Sequence, residues 1–148
     1  MTAWLPALGW AALIFSLSTD PFSAAHTSRI LRPILFWLIP HLTEHGFRTI
    51  HFFVRKAAHF SEYFVFCLLL YRGIRGGQRG WRWSWALTAL FIAVGYSALD
   101  EIHQAFVASR TASPFDSLLD SAGAAFATVV LWLWSYRAAR RGKDLAAR

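Results

Sequence analysis

Apolar runs alternate with short polar segments along the whole chain, and their lengths predict helices rather than strands. A membrane-spanning helix needs about 20 predominantly apolar residues, and four segments approach that length. The four predicted spans cover residues 3–18, 51–71, 83–106 and 115–136. The first is short, so a signal peptide is the alternative there. However, a signal peptide begins with a basic segment, and no Lys or Arg precedes this apolar run.

A shorter apolar element lies between the first and second predicted spans. Ile34–Ile39 is apolar but is bounded by Pro33 and Pro40 and follows Arg29 and Arg32. This run cannot cross a bilayer, and its basic start favours an interfacial or re-entrant helix over residues 28–39. The sequence therefore predicts an all-α membrane protein. It is a single domain over residues 1–148, with four transmembrane helices in a compact bundle, one short interfacial helix and a basic tail over 137–148.

Composition and charge support a membrane location over nucleic-acid binding. The chain is 56% hydrophobic and 16% charged, whereas soluble domains are about 25% charged. The net charge is +7, but the basic residues flank apolar runs, so the expected partners are membrane lipids and not nucleic acid. The single Cys67 forms no internal disulfide. The oligomeric state stays open.

The distribution of Lys and Arg predicts the orientation. Four spans place both termini and the Arg72–Arg82 segment on one side, and that side holds nine of the 15 Lys and Arg. The positive-inside rule then assigns both termini to the cytoplasm of a bacterial inner membrane. Seven of the eight acids, all but Asp144, fall on the opposite, outer half.

Helical spacing brings several of the outer polar residues onto shared faces. Residues three, four or seven apart lie on one side of a helix. Charges near the centre of a membrane helix cost about 2.5–3.5 kcal/mol each, so these residues are expected to face protein or water in an outward-facing polar pocket. The three faces are Lys56, His59 and Tyr63, with Glu62 beside them; Asp100 and Gln104; and Asp116, Asp120 and Gly123. Small residues at Gly123, Ala124 and Ala127 predict close helix contact below Asp120.

Several of these residues have a structural alternative. Asp116 follows Ser113 and Pro114 in a capping-box pattern, so it is either a helix cap, a ligand contact or both. Lys56 is either a ligand contact or half of a buried ion pair with Asp100 or Asp116. Arg110 either contacts ligand or headgroups, or pairs with Asp116, and Glu101 either contacts ligand or faces water.

The order and spacing of these residues resemble the VanZ family of small bacterial membrane proteins. Its pattern has Lys, then His-Phe and Tyr on one helix, then Asp-Glu-x-x-Gln-x-Phe, an Arg, and an Asp that opens the last helix. The matching residues are Lys56, His59, Phe60, Tyr63, Asp100, Glu101, Gln104, Phe106, Arg110 and Asp116. Asp120 stands where the family often has Asn, and Ala127 where it usually has Gly. The resemblance implies an envelope protein, since founding members are linked with low-level teicoplanin resistance, and it implies no settled reaction.

Three functions remain open. The first is binding of an amphiphilic envelope ligand, such as a lipid headgroup, a lipid-linked wall precursor or a lipoglycopeptide. The second is an intramembrane hydrolase or transferase, with His59, Glu62 and Asp100 as catalytic acids or bases. No tight ligand spacing supports a metal, and no cofactor is expected. The third, proton-coupled transport, ranks lowest because the ionisable groups all lie on the outer half. The expected ligand contacts are Lys56, Tyr63, Glu101, Gln104, Arg110, Asp116 and Asp120.

Overall fold

The computed structural model describes residues 2–19, 23–107 and 113–146, and their side chains except at Ala25 and after Arg141. These residues form five α-helices and no strand, which confirms the all-helical prediction. The helices are α1 (Leu5–Leu17), α2 (Ala24–Leu38), α3 (Glu44–Arg75), α4 (Trp83–Ala105) and α5 (Pro114–Ala146). Two of them, α4 and the Pro114–Arg141 part of α5, are long and apolar enough to cross a membrane, and α1 is a shorter apolar helix.

The helix bounds differ from the predicted ones mainly at polar ends. The interfacial segment becomes α2, which begins earlier and contains Pro33 within it. The second predicted span is the apolar part of a longer helix, α3. Thr43 caps the start of α3, where its Oγ1 accepts the Gly46 N–H at 3.1 Å. The basic segment predicted as a tail continues α5 as far as Ala146.

The α3 helix lies at the centre and packs against α1, α2, α4 and α5. Its buried face carries Tyr63 and Cys67, both fully buried. Small residues face it from the neighbours and allow the helix axes to come close. These are Ala86, Ala89 and Ala93 on α4 and Gly123, Ala124 and Ala127 on α5. The close contact predicted at Gly123 is confirmed, because a Cβ at that position would meet the backbone of Phe60.

Two long-range hydrogen bonds hold α1 against the bundle. Trp10 Nε1 donates to the carbonyl oxygen of Glu62 at 3.0 Å, and Tyr96 OH donates to the carbonyl oxygen of Ala11 at 2.8 Å. Both acceptors are backbone carbonyl oxygens of helical residues, so the two bonds fix the position of α1 along the axes of α3 and α4. The C-terminal end of α1 is thereby held beside the polar parts of those two helices.

Candidate functional site

A buried polar stripe runs along the C-terminal part of α4. It consists of Ser97, Asp100 and Gln104, which are 0%, 6% and 3% exposed. Gln104 Nε2 donates to Asp100 Oδ2 at 3.0 Å, one helical turn away. The predicted Asp100–Gln104 face is therefore present, but it extends one turn further to Ser97. Ser97 lies three residues before Asp100, and this helical spacing could have indicated from the sequence that Ser97 belongs to the same face.

Asp120 of α5 connects α4 to α3 and has no exposed surface. Its Oδ2 accepts a hydrogen bond from Ser97 Oγ at 3.2 Å, and its Oδ1 lies 3.3 Å from His59 Nδ1, within ion-pair distance. Tyr63 lies one turn after His59 on α3 and is fully buried. Each of the three predicted faces thus contributes to one buried polar cluster.

Asp116 and Glu101 both have partners within the bundle that bear on their structural alternatives. Asp116 Oδ1 forms an ion pair with Lys56 Nζ, which joins the start of α5 to α3. The Ser113 N–H, which a capping box would assign to Asp116, donates instead to Glu101 Oε2 at 2.8 Å. Glu101 is only 8% exposed, so the hypothesis that it faces water is wrong. It supports the start of α5 from the neighbouring helix.

A cavity of about 180 Å³ lies beside this cluster, between the C-terminal ends of α1 and α4 and the first half of α3. Gln104 reaches it from α4 and also donates to Ser18 Oγ at 3.4 Å. The residues that line it are Leu17, Ser18, Thr27, Arg55, Ala58, His59, Glu62 and Gln104. Of the predicted site residues, His59, Glu62 and Gln104 line the cavity, whereas Lys56 and Asp116 are engaged with each other. Arg110 lies outside the described residues.

Sequence reasoning did not assign Arg55 or Thr27 to the site. Arg55 lies one turn before His59 on α3, so helical spacing could have indicated it. Thr27 could not be assigned in this way, because only the packing of α2 against α3 brings it to the cavity. Its Oγ1 lies 3.2 Å from Nε2 of His51 on α3.

Several buried polar atoms at the site have no hydrogen-bond partner among the described residues. They are Arg55 Nη1, Tyr63 OH, Asp100 Oδ1 and Glu101 Oε1. A buried polar group without a partner costs about 1–3 kcal/mol. These atoms of the cluster can therefore still donate or accept hydrogen bonds. Within the described part of the chain, no group of three or more His, Cys, Asp or Glu side chains is positioned to hold a metal ion.

Comparison with protein families decides the assignment of the chain. The VanZ/LLP1 family model matches residues 3–135, from the start of α1 to the last turns of α5. The chain belongs to the VanZ/LLP1 family. This confirms the resemblance inferred from the motifs. The family match spans both the buried cluster and the cavity. Comparisons with curated proteins and with solved structures returned no match.

The residues that match the VanZ/LLP1 motif fall into separate groups in this structure. Lys56 and Asp116 pair with each other, and Glu101 holds the start of α5. His59 and Gln104 lie between the buried carboxylates and the cavity. Asp120, where the family often has Asn, is the most deeply buried acid of the cluster.

Proposed function

We propose that this VanZ/LLP1 protein is an integral membrane protein in which α1, α3, α4 and α5 span the bilayer and α2 lies at its surface. The strongest support is the exposure of apolar helices. Only 39% and 28% of the apolar stretches of α4 and α5 are buried, whereas the core helix of a soluble protein is mostly buried. Large apolar side chains such as Phe91 and Trp134 are about 70% exposed, which suits contact with lipid.

Aromatic and basic residues support one membrane boundary at the α3–α4 turn. The rings of Tyr71, Trp81, Trp83, Trp132 and Tyr136 contact one another in sequence, with centroid separations of 5.3–6.3 Å. Aromatic belts of this kind occur at membrane–water interfaces. The Arg-rich turn follows directly, so this boundary is assigned to the cytoplasmic side of a bacterial inner membrane.

The opposite boundary follows from the length of α3. Arg55 and Arg75 are separated by about 20 residues, or about 30 Å of helix. That distance equals the thickness of the hydrocarbon core of a bilayer, about 30 Å. The cavity, which Arg55 lines, is therefore assigned to the outer boundary, where it opens to an extracytoplasmic ligand.

The proposed topology predicts opposite labelling of two single-cysteine variants. In intact spheroplasts, a membrane-impermeant maleimide should label His45→Cys, near the start of α3, but should label Gly77→Cys only after the membrane is disrupted. Both positions are exposed, and the native Cys67 is fully buried, so background labelling should be low. Labelling of both variants from the same side would contradict the topology.

We further propose that the cavity binds the polar head of an amphiphilic envelope ligand. The observation that carries this proposal is a cavity with Arg55 on one wall and Gln104 and His59 on others, beside buried polar atoms that lack partners. The Arg55 guanidinium is suited to phosphate or carboxylate. Ser18 and Thr27 add hydroxyl groups, and the exposed apolar helices offer a surface to acyl chains.

Arg55→Gln is expected to weaken ligand binding about 10- to 100-fold, because a hydrogen bond to a charged group contributes about 1.5–3 kcal/mol. The measurement is titration of the nanodisc-embedded protein with teicoplanin and, separately, with a lipid-linked wall precursor. Arg48→Gln is the matched control, since it removes the same charge from the same helix at an exposed position. Equal effects of the two variants, or no binding of either probe by the native chain, would overturn the proposal.

A second candidate function is hydrolysis or group transfer on such a ligand. It is favoured by one observation: His59 lines the cavity and has the buried Asp120 carboxylate behind it at 3.3 Å. A carboxylate in that position can orient a general acid or base. Mass analysis of the probes recovered from the titration separates the two functions. Binding leaves the probes unchanged, whereas an enzyme converts them and loses this conversion in His59→Gln.

A further inference from the structure

A second concave region lies at the opposite end of the bundle from the polar cavity. Two neighbouring cavities of about 460 and 350 Å³ share four lining residues, Tyr71, Arg75, Leu131 and Trp134. They form one groove between the end of α3 and α5, here called the basic groove. Its size is within the range of small-molecule sites, about 300–1,000 Å³. The proposed function does not use it.

The groove combines an apolar wall with a cationic rim. Leu68 of α3 and Val130 of α5 line the part of the groove further from the α3–α4 turn. Val130 is also exposed at the bundle surface. Arg72 and Arg75 line the end nearest the α3–α4 turn. The Arg72–Arg82 segment holds four Arg and no acid. The acids with described side chains are Glu44, Glu62, Asp100, Glu101, Asp116 and Asp120, and none of them lines the groove.

Two side chains at the rim, Trp81 and Arg75, have N–H groups that can donate hydrogen bonds to a ligand. Trp81 lines the groove, and its buried Nε1 has no hydrogen-bond partner among the described residues. The Trp81 ring packs against Tyr71 at a centroid distance of 5.5 Å. Arg75 donates through Nε to the carbonyl oxygen of Gln78 at 2.6 Å, and its terminal amino groups remain as further donors.

We propose that the basic groove binds one anionic phospholipid of the leaflet next to the α3–α4 turn. Its phosphate lies beside Arg75 and the Trp81 N–H, Arg72 adds positive charge, and an acyl chain lies over Leu68 and Val130. A cationic rim alone would suit any phosphate. The apolar wall, continuous with the lipid-facing surface of α5, selects a phosphate that carries an acyl chain. This inference rests on the proposed membrane location.

The test is native mass spectrometry of the full chain extracted from vesicles of phosphatidylcholine mixed with phosphatidylglycerol. The native protein should retain one phosphatidylglycerol in preference to phosphatidylcholine. Each Arg near an anionic headgroup raises affinity about fivefold, so Arg72→Gln with Arg75→Gln should lower retention about 25-fold. Arg79→Gln with Arg82→Gln is the matched control. It removes the same charge from the same Arg72–Arg82 segment but leaves the groove lining unchanged, so it should lower retention less than fivefold.

A second variant guards against a folding defect in the double substitution. Trp81→Phe keeps an aromatic ring but removes the N–H donor, and it should lower retention about tenfold. Equal losses in the two Arg pairs, full retention in Trp81→Phe, or equal retention of both lipids would overturn the proposal. Flotation with phosphatidylcholine vesicles tests the membrane location separately: a protein that floats but shows no lipid preference disproves only the groove.

Discussion

Asp120→Ala is expected to destabilise the folded protein by about 2–6 kcal/mol, because it leaves two buried polar groups without their partner, at about 1–3 kcal/mol each. Asp120 has no exposed surface and holds two partners, Ser97 at 3.2 Å and His59 at 3.3 Å. Its removal leaves the buried Ser97 hydroxyl and the His59 imidazole without this acceptor. The measurement is denaturant unfolding in mixed micelles, followed by the fluorescence of the tryptophans.

Asp120→Asn is the matched control because it keeps the shape of the side chain and an oxygen that can accept from Ser97. It also installs the residue that the family often has at this position. We expect it to cost about 1 kcal/mol or less. A double-mutant cycle with His59→Gln isolates the coupling between His59 and Asp120, which should exceed about 1 kcal/mol. A loss below about 1 kcal/mol in Asp120→Ala would show that the pair does not hold α3 to α5.

The sequence predicted the helices and their polar faces because both depend on local periodicity. The apolar runs placed α4 within a residue of its bounds, and the three-to-four-residue spacing correctly grouped Asp100 with Gln104. Periodicity does not specify how far each helix is rotated about its own axis. For this reason Lys56 and His59, which share one face, could not be distinguished: Lys56 meets Asp116, whereas His59 lies between Asp120 and the cavity.

Contacts supplied by another helix were beyond prediction from local patterns. The capping-box pattern at Ser113 and Asp116 is a local signal, but the bond goes to Glu101 of α4 because the two helices meet at their polar ends. Likewise, Thr27 reaches the cavity only because α2 packs on α3. Both cases show tertiary packing replacing a local partner with a distant one. The family resemblance named the motif residues but did not specify which of them pair with each other.

Gly123→Ala is expected to destabilise the bundle by about 1–3 kcal/mol, the usual cost of overpacking a tight interface. A Cβ on Gly123 would overlap the carbonyl oxygen of Phe60 and lie 3.1 Å from its carbonyl carbon and 3.3 Å from its Cα. These are backbone atoms of α3, so no side-chain rotation relieves the contact. The two helices must move apart, which loosens the packing of Ala124 and Ala127, both fully buried.

Gly95→Ala is the control for this substitution. Gly95 also lies within a helix, but a Cβ there meets nothing within 4 Å. It should therefore be neutral or should stabilise α4 by up to about 1 kcal/mol through helix propensity. The expected signature of Gly123→Ala is a lower unfolding midpoint together with weaker binding of the cavity probes. The second effect follows because Gly123 is one turn from Asp120 and Phe60 is next to His59, so separating α3 from α5 lengthens the His59–Asp120 contact. Equal stability of the two variants would contradict the close approach of α3 and α5.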